Sequence, residues 1–207
     1  FTKLLFLLLS ISCVYANADP LDASRMYVDS SLAPFYHGVA SGDPTNNSAF
    51  IWTRITTDNP NPSITWKIAT DTSMSNVVQS GNASTNTDKD FTIKIEVTAL
   101  QPNTFYFYEF TYNNQHSLRG RTKTLPTGSV NKMRFAVVSC SSFPHGYFNV
   151  YQAINQRNDV DAIIHLGDYI YEYGKDEYGT VRAPNPENEI LNLSDYRIRH
   201  SMYKLDS

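Results

Sequence analysis

Phe91-Thr-Ile93-Lys-Ile95-Glu-Val97-Thr-Ala-Leu100-Gln-Pro102-Asn-Thr104-Phe-Tyr106-Phe-Tyr108 holds the key to the first two-thirds of this chain. From Phe91 to Val97 every second side chain is apolar, the period of a strand with one face in a core. Leu100 closes that strand and Pro102 turns the chain. Tyr106 then stands early in the next strand, where its phenol can hydrogen-bond back across the corner of a two-sheet sandwich. Similar runs flank this stretch: Phe35–Ser41, Ser48–Ile55, Ile64–Ala69, Asn76–Gly81, Thr104–Tyr112 and His116–Thr124. Turn-forming Gly42-Asp43-Pro44, Asp58-Asn-Pro60-Asn-Pro62 and Asn113-Asn114 separate them. About seven short strands at such spacing predict an all-β, immunoglobulin-like sandwich over residues 35–126. Trp52 and Trp66 are expected in its core, and nothing in this stretch looks catalytic.

The Leu-Pro-Tyr corner resembles that of fibronectin type III domains. The 207 residues include 17 Lys+Arg and 20 Asp+Glu, a net charge of -3. That balance offers no electrostatic surface for nucleic acid or for an anionic membrane. With 41% hydrophobic and 18% charged residues, the composition also excludes a disordered chain.

Lys3 precedes an apolar run from Leu4 to Val14 that ends near Ala16 and Ala18, so residues 1–18 read as a secretory signal peptide. The run falls short of the ~20 apolar residues that a transmembrane helix needs. The expectation is a secreted, periplasmic or cell-surface protein. Cys13 is a second candidate anchor, by lipid attachment, although Ser10 stands where such a motif has Leu. Removal of the signal leaves Cys140 as the one cysteine of the mature chain. The Phe at position 1 and the abrupt Lys204-Leu-Asp-Ser207 lead us to expect a fragment.

After Pro126-Thr-Gly128-Ser129 the pattern changes. Met133-Arg-Phe-Ala-Val-Val-Ser139 is a buried-type strand that runs into Cys140. A helix is expected from about Tyr147 to Arg157, and Asp161-Ala-Ile-Ile-His-Leu166 is a second strand ending in Gly167-Asp168. Strand, helix and strand make a βαβ unit, whose two strands should be parallel neighbours. Sites in such sheets form beyond the carboxyl ends of the strands. Cys140 and Asp168 occupy those ends, and neighbouring strands lie about 4.8 Å apart. Tyr171, three residues on, can turn its phenol to the same place. Thiolate, carboxylate and phenolate together suit a strong Lewis acid such as Fe(III), which lowers thiol and phenol pKa values enough to bind them. His165, inside the strand, reads as structural, and His145 stays outside the ligand set. Ser139, Ser141 and Ser142 are not taken as nucleophiles.

Phe35-Tyr-His-Gly-Val-Ala-Ser-Gly-Asp-Pro44, Ile51-Trp-Thr-Arg54, Phe135-Ala-Val-Val-Ser-Cys140, Gly146-Tyr-Phe-Asn-Val-Tyr151 and His165-Leu-Gly-Asp-Tyr-Ile-Tyr-Glu-Tyr-Gly174 resemble PhoD-type alkaline phosphatases. So does the closing Ser194-Asp-Tyr-Arg-Ile-Arg-His-Ser-Met-Tyr203. These are secreted phosphodiesterases and phosphomonoesterases of the calcineurin-like metallophosphoesterase superfamily. The resemblance implies a sandwich followed by an α/β catalytic domain, four-layered (α-β-β-α) when complete. It implies Fe(3+) and Ca(2+) as cofactors, with Cys140, Asp168 and Tyr171 as iron ligands and Asp168 bridging to calcium. The substrate implied is a small phosphate mono- or diester. Residues 131–207 then form an incomplete catalytic domain, because the superfamily's later Asn, Asp-His and His ligands have no counterpart after Tyr171 except His200 on a helical stretch. The 207 residues alone are therefore expected to be inactive. Two alternatives stay open: a secreted fibronectin-III-like binding module with a non-catalytic α/β remnant, and a purple acid phosphatase relative. A cysteine-dependent phosphatase is excluded, since Gly146 stands where its Cys-x5-Arg cradle needs Arg. Oligomeric state is left open.

Overall fold

The computed structural model describes residues 30–204. The predicted signal peptide and Cys13 lie outside them. Strands β1 (Val39–Gly42), β2 (Ala49–Arg54) and β5 (Thr92–Val97) form one antiparallel sheet in the order β1-β2-β5. The second sheet runs β4 (Val77–Ser84), β3 (Ser63–Ala69), β6 (Phe105–Tyr112), with β7 (Gln115–His116) and β8 (Gly120–Lys123) both paired to β6. Ile51, Ile93 and Val97 of the first sheet meet Ile64, Ile68, Tyr106 and Phe110 of the second in one core. Burying each such side chain contributes about 1.5–3 kcal/mol. At the corner, the Gln101 N–H donates to the Tyr106 hydroxyl at 2.7 Å, as the sequence predicts.

Three local expectations need correction. The first run does not begin as a strand at Phe35. Gly38 adopts φ 58° and donates to the Phe35 carbonyl at 2.9 Å, so the chain turns before β1 and leaves Phe35 and His37 as buried plugs. The last run is split into β7 and β8, because the Ser117 hydroxyl accepts the Phe110 N–H at 3.0 Å in place of a ladder partner. Trp66 packs against the core as expected, but Trp52 does not. Strand alternation turns Ile51 and Thr53 inward and Trp52 outward, edge-on to His200 with centroids 6.4 Å apart.

Beyond the sandwich, β9 (Phe135–Val138) and β10 (Ala162–His165) pair in parallel, with Phe135 opposite Ala162 and Val138 opposite His165. Helix α1 (Asn149–Asn155) lies between them in the chain, completing the predicted βαβ unit. Helix α2 (Leu193–Lys204) buries Met202 and Tyr203 against Phe143, Phe148 and Ile170. It is also fastened to the sandwich. Arg197 forks onto both carboxylate oxygens of Asp90, which Arg54 grips from the sandwich side at 2.9 and 3.2 Å. The Lys204 ammonium donates to the Val39 carbonyl at 2.9 Å, and the His200 ring stacks on His37 with centroids 5.6 Å apart. Among the described residues, no helix is long and apolar enough to cross a membrane.

Candidate metal centre

The carboxyl ends of β9 and β10 are tied to each other past the last ladder pair. Leu166 N–H donates to the Val138 carbonyl at 2.9 Å, Cys140 N–H to the Gly167 carbonyl at 3.1 Å, and Ser141 N–H to the Asp168 carbonyl at 2.8 Å. These bonds hold Cys140 and Asp168 side by side. Both residues take left-handed backbone conformations, Cys140 at φ 58° and Asp168 at φ 53°. Side chains with a Cβ rarely adopt that region, and where they do the site often carries function. The turns swing both side chains off the strand ends and toward one another.

The result is a convergent trio. The Cys140 thiol donates to Asp168 Oδ2 at 3.3 Å, and the Tyr171 hydroxyl donates to the same oxygen at 3.1 Å. Cys140 and Asp168 are exposed and Tyr171 is half-buried, so the trio faces solvent. Loss of hydration, and then the neighbouring Cys140 and Asp168, hold the Tyr171 phenol above its ordinary range. Three groups that each become anionic thus crowd one point, where a multivalent cation would replace their protons. Their chemistry fits Fe(III): one sulfur, one carboxylate oxygen and one phenolate oxygen, balancing a 3+ charge. Among the described residues no three His, Cys, Asp or Glu side chains converge on a common point; here a phenol completes the Cys–Asp pair. Calcium fits less well, since it takes six to eight oxygen donors and of this trio only Asp168 offers it a carboxylate.

The histidines near the trio are engaged elsewhere. Gly167 N–H donates to His165 Nδ1 at 3.2 Å, which assigns the ring proton to Nε2. That nitrogen lies 3.2 Å from both Ser141 Oγ and Tyr151 Oη, and these two hydroxyls are also hydrogen-bonded to each other. His165 is therefore a strut between β10, the loop after Cys140 and α1. His145 Nδ1 pairs with Ser142 Oγ at 2.7 Å, and its ring stands edge-on to Tyr178 at 4.6 Å. A cleft of about 370 Å³ opens beside Cys140, lined by Ser142, His145, Gly146, Tyr147 and Phe148 among others. A larger one of about 470 Å³ lies by α1 and α2, and none of the trio lines it. The left-handed turns at Cys140 and Asp168 and the Ser141–Tyr151–His165 triangle were not foreseen from the sequence. Gly167-Asp168 was the one local sign of a turn there.

Residues 22–126 match the family described as PhoD-like phosphatase, N-terminal domain, and residues 135–207 match PhoD-like phosphatase. The chain is 38% identical over 191 residues to alkaline phosphatase D of Bacillus subtilis (strain 168), a match covering 86% of this chain and 32% of that protein. A solved structure of PhoD superposes with a TM-score of 0.76 at 36% identity, covering 87% of this chain and 37% of the other. The chain thus spans about a third of the length of these relatives. The predicted architecture, a sandwich followed by the start of an α/β domain, is the one observed.

Proposed function

Because this chain belongs to the PhoD-like phosphatase family, we propose that it supplies the iron-binding part of a secreted phosphoric ester hydrolase acting on small phosphate mono- or diesters. The observation that carries this reading is the shared acceptor: Asp168 Oδ2 lies within hydrogen-bonding distance of both the Cys140 thiol and the Tyr171 phenol. Cys140, Asp168 and Tyr171 would hold Fe(III), and Asp168 would keep an oxygen for a neighbouring calcium. When bound, the ferric ion supplies Lewis acidity at the phosphoryl group and acidifies water there. The side chains here do the holding. Asp168 supplies the common acceptor at which the two protonated donors meet, and its hydrogen bonds aim both at one point. The rigid backbone ties between Cys140, Gly167 and Asp168 keep that point fixed as substrate enters from the open side.

In the same reading, residues 1–18 direct export. The 207 residues by themselves do not turn over substrate, because three donors from one sheet edge leave the oxygen-rich calcium site unbuilt. Purified with iron, the chain should hold about one iron per molecule. Asp168→Ala should lose more than the roughly 10–100-fold in affinity typical of removing an outer-shell partner. With a chromogenic phosphodiester, iron and calcium, the chain should show no turnover. Failure to take up iron would remove the metal reading and favour a secreted binding module. Brisk metal-dependent hydrolysis would overturn the inactivity of these residues alone.

A further inference from the structure

Arg199 of α2 is almost completely enclosed, at 1% exposure, and among the described residues its guanidinium forms no salt bridge with a carboxylate. Among the described residues, every hydrogen bond it makes goes to a backbone carbonyl. One nitrogen donates to Tyr171 and to Tyr173, the latter at 3.2 Å. The second terminal nitrogen donates to Pro186 at 2.8 Å and to Asn188 at 3.5 Å, and Nε donates to Asn185 at 3.2 Å. Burying an unpaired charge costs several kcal/mol unless hydrogen bonds recover it. Five carbonyls converging on one guanidinium are such a recovery. They also tie two distant strands of loop, residues 171–173 and 185–188, to one rigid helix. The first of those carbonyls belongs to Tyr171 itself.

We propose that Arg199 is a positioning residue of the candidate metal centre: its guanidinium fixes the backbone of Tyr171 so that the phenol meets Cys140 and Asp168. This rests on the iron-site reading for its purpose, but the positioning itself is a property of the metal-free chain. A planar fork with five N–H donors can span carbonyls on two sides at once. A lysine ammonium, with three donors on one atom, can reach at most three of the five. α2 therefore acts as a clamp, fastened to the sandwich through Arg197 and Asp90 and to the metal loop through Arg199.

The test compares the full chain with its Arg199→Lys and Arg199→Met variants, using two readouts. The first needs no metal: 3-fluorotyrosine placed at position 171 is followed by fluorine NMR, with amide hydrogen exchange recorded alongside. Both variants should shift the fluorine resonance toward its unfolded value and raise exchange in residues 169–188. Protection of β2, β3, β5 and β6 should stay unchanged. The second readout is the visible phenolate-to-iron charge-transfer absorption on titration with Fe(III), where Arg199→Lys should weaken iron binding by roughly 10–100-fold. An unmoved fluorine resonance in both variants would overturn the proposal. Loss of protection throughout the sandwich would also overturn it, since Arg199 would then be a general fold element. If the wild-type chain itself gives no charge-transfer band, the iron reading fails while the fluorine and exchange data still judge the clamp.

Discussion

The sandwich and the parallel pair β9–β10 are built from similar apolar residues, yet they treat them in opposite ways. In the sandwich, Ile51, Ile68 and Phe110 are fully enclosed. On the parallel pair, Phe135, Val137 and Leu166 are 51%, 58% and 69% exposed along one face, and Ile163 is 58% exposed on the other. Parallel sheets are normally covered on both faces. Among the described residues the sandwich is held by a buried core, while the strand pair that bears the proposed metal centre draws little stability from burial. Beside the small apolar cluster of Phe143, Met202 and Tyr203 with Ile170, what holds the candidate centre is polar: backbone ties between strand ends, the Arg199 carbonyl clamp and the ion pairs on Asp90.

That contrast can be broken first at the core. Phe110→Ala should cost about 3–5 kcal/mol by urea unfolding. It should carry the β9–β10 edge with it, since α2 is moored to the sandwich. An edge that survived with native exchange protection would show the two regions to be independent.

Acid is the next lever, and it acts at the seam between the regions. Burial, then Arg54 and His200, lowers the His37 pKa from 6.5 to about 3; burial, then Lys204 and Arg54, lowers that of His200 to about 4. Both rings stay neutral in the folded chain while the unfolded chain gains protons below pH 6.5. Their contribution is complete above that pH and declines as the pH falls toward the folded values, by about 1.4 kcal/mol per unit for each group. Unfolding free energy measured from pH 7 to pH 4 should slope accordingly, and His200→Gln should reduce the slope by about one proton. A flat profile would contradict the buried pair.

Smaller effects separate stability from site. Tyr106→Phe removes the corner hydrogen bond and should lower stability by about 1 kcal/mol, with iron binding unchanged. Tyr171→Phe should do the reverse: stability within about 0.5 kcal/mol of the parent, and iron affinity reduced at least tenfold. Binding needs the phenol deprotonated, and loss of hydration together with its neighbours holds that phenol above the ordinary range, so iron affinity of the parent chain should climb with pH. A pH-independent affinity would remove Tyr171 from the ligand set.

Patterns of short range carried most of what was legible. Alternation in Phe91–Val97 and the Pro102–Tyr106 spacing define a strand and a corner without reference to the rest of the chain. The side-by-side ends of β9 and β10 followed from one topological rule, which brought Cys140 and Asp168 together across 28 positions. What escaped depends on contacts that no local pattern encodes. Trp52 faces His200 because α2 folds back over β2, and Asp90 meets Arg197 across 107 positions. Arg199 looked like one more basic residue on a Tyr- and Arg-rich helix. Its role emerges only when five carbonyls from two loop segments close around it.

The iron-loaded chain offers the most direct measurement. X-ray absorption at the iron edge should resolve one sulfur scatterer with oxygen neighbours, and Cys140→Ser should replace that sulfur with oxygen. A wild-type spectrum with only light-atom neighbours, unchanged by the substitution, would mean that thiol, carboxylate and phenol do not share a metal.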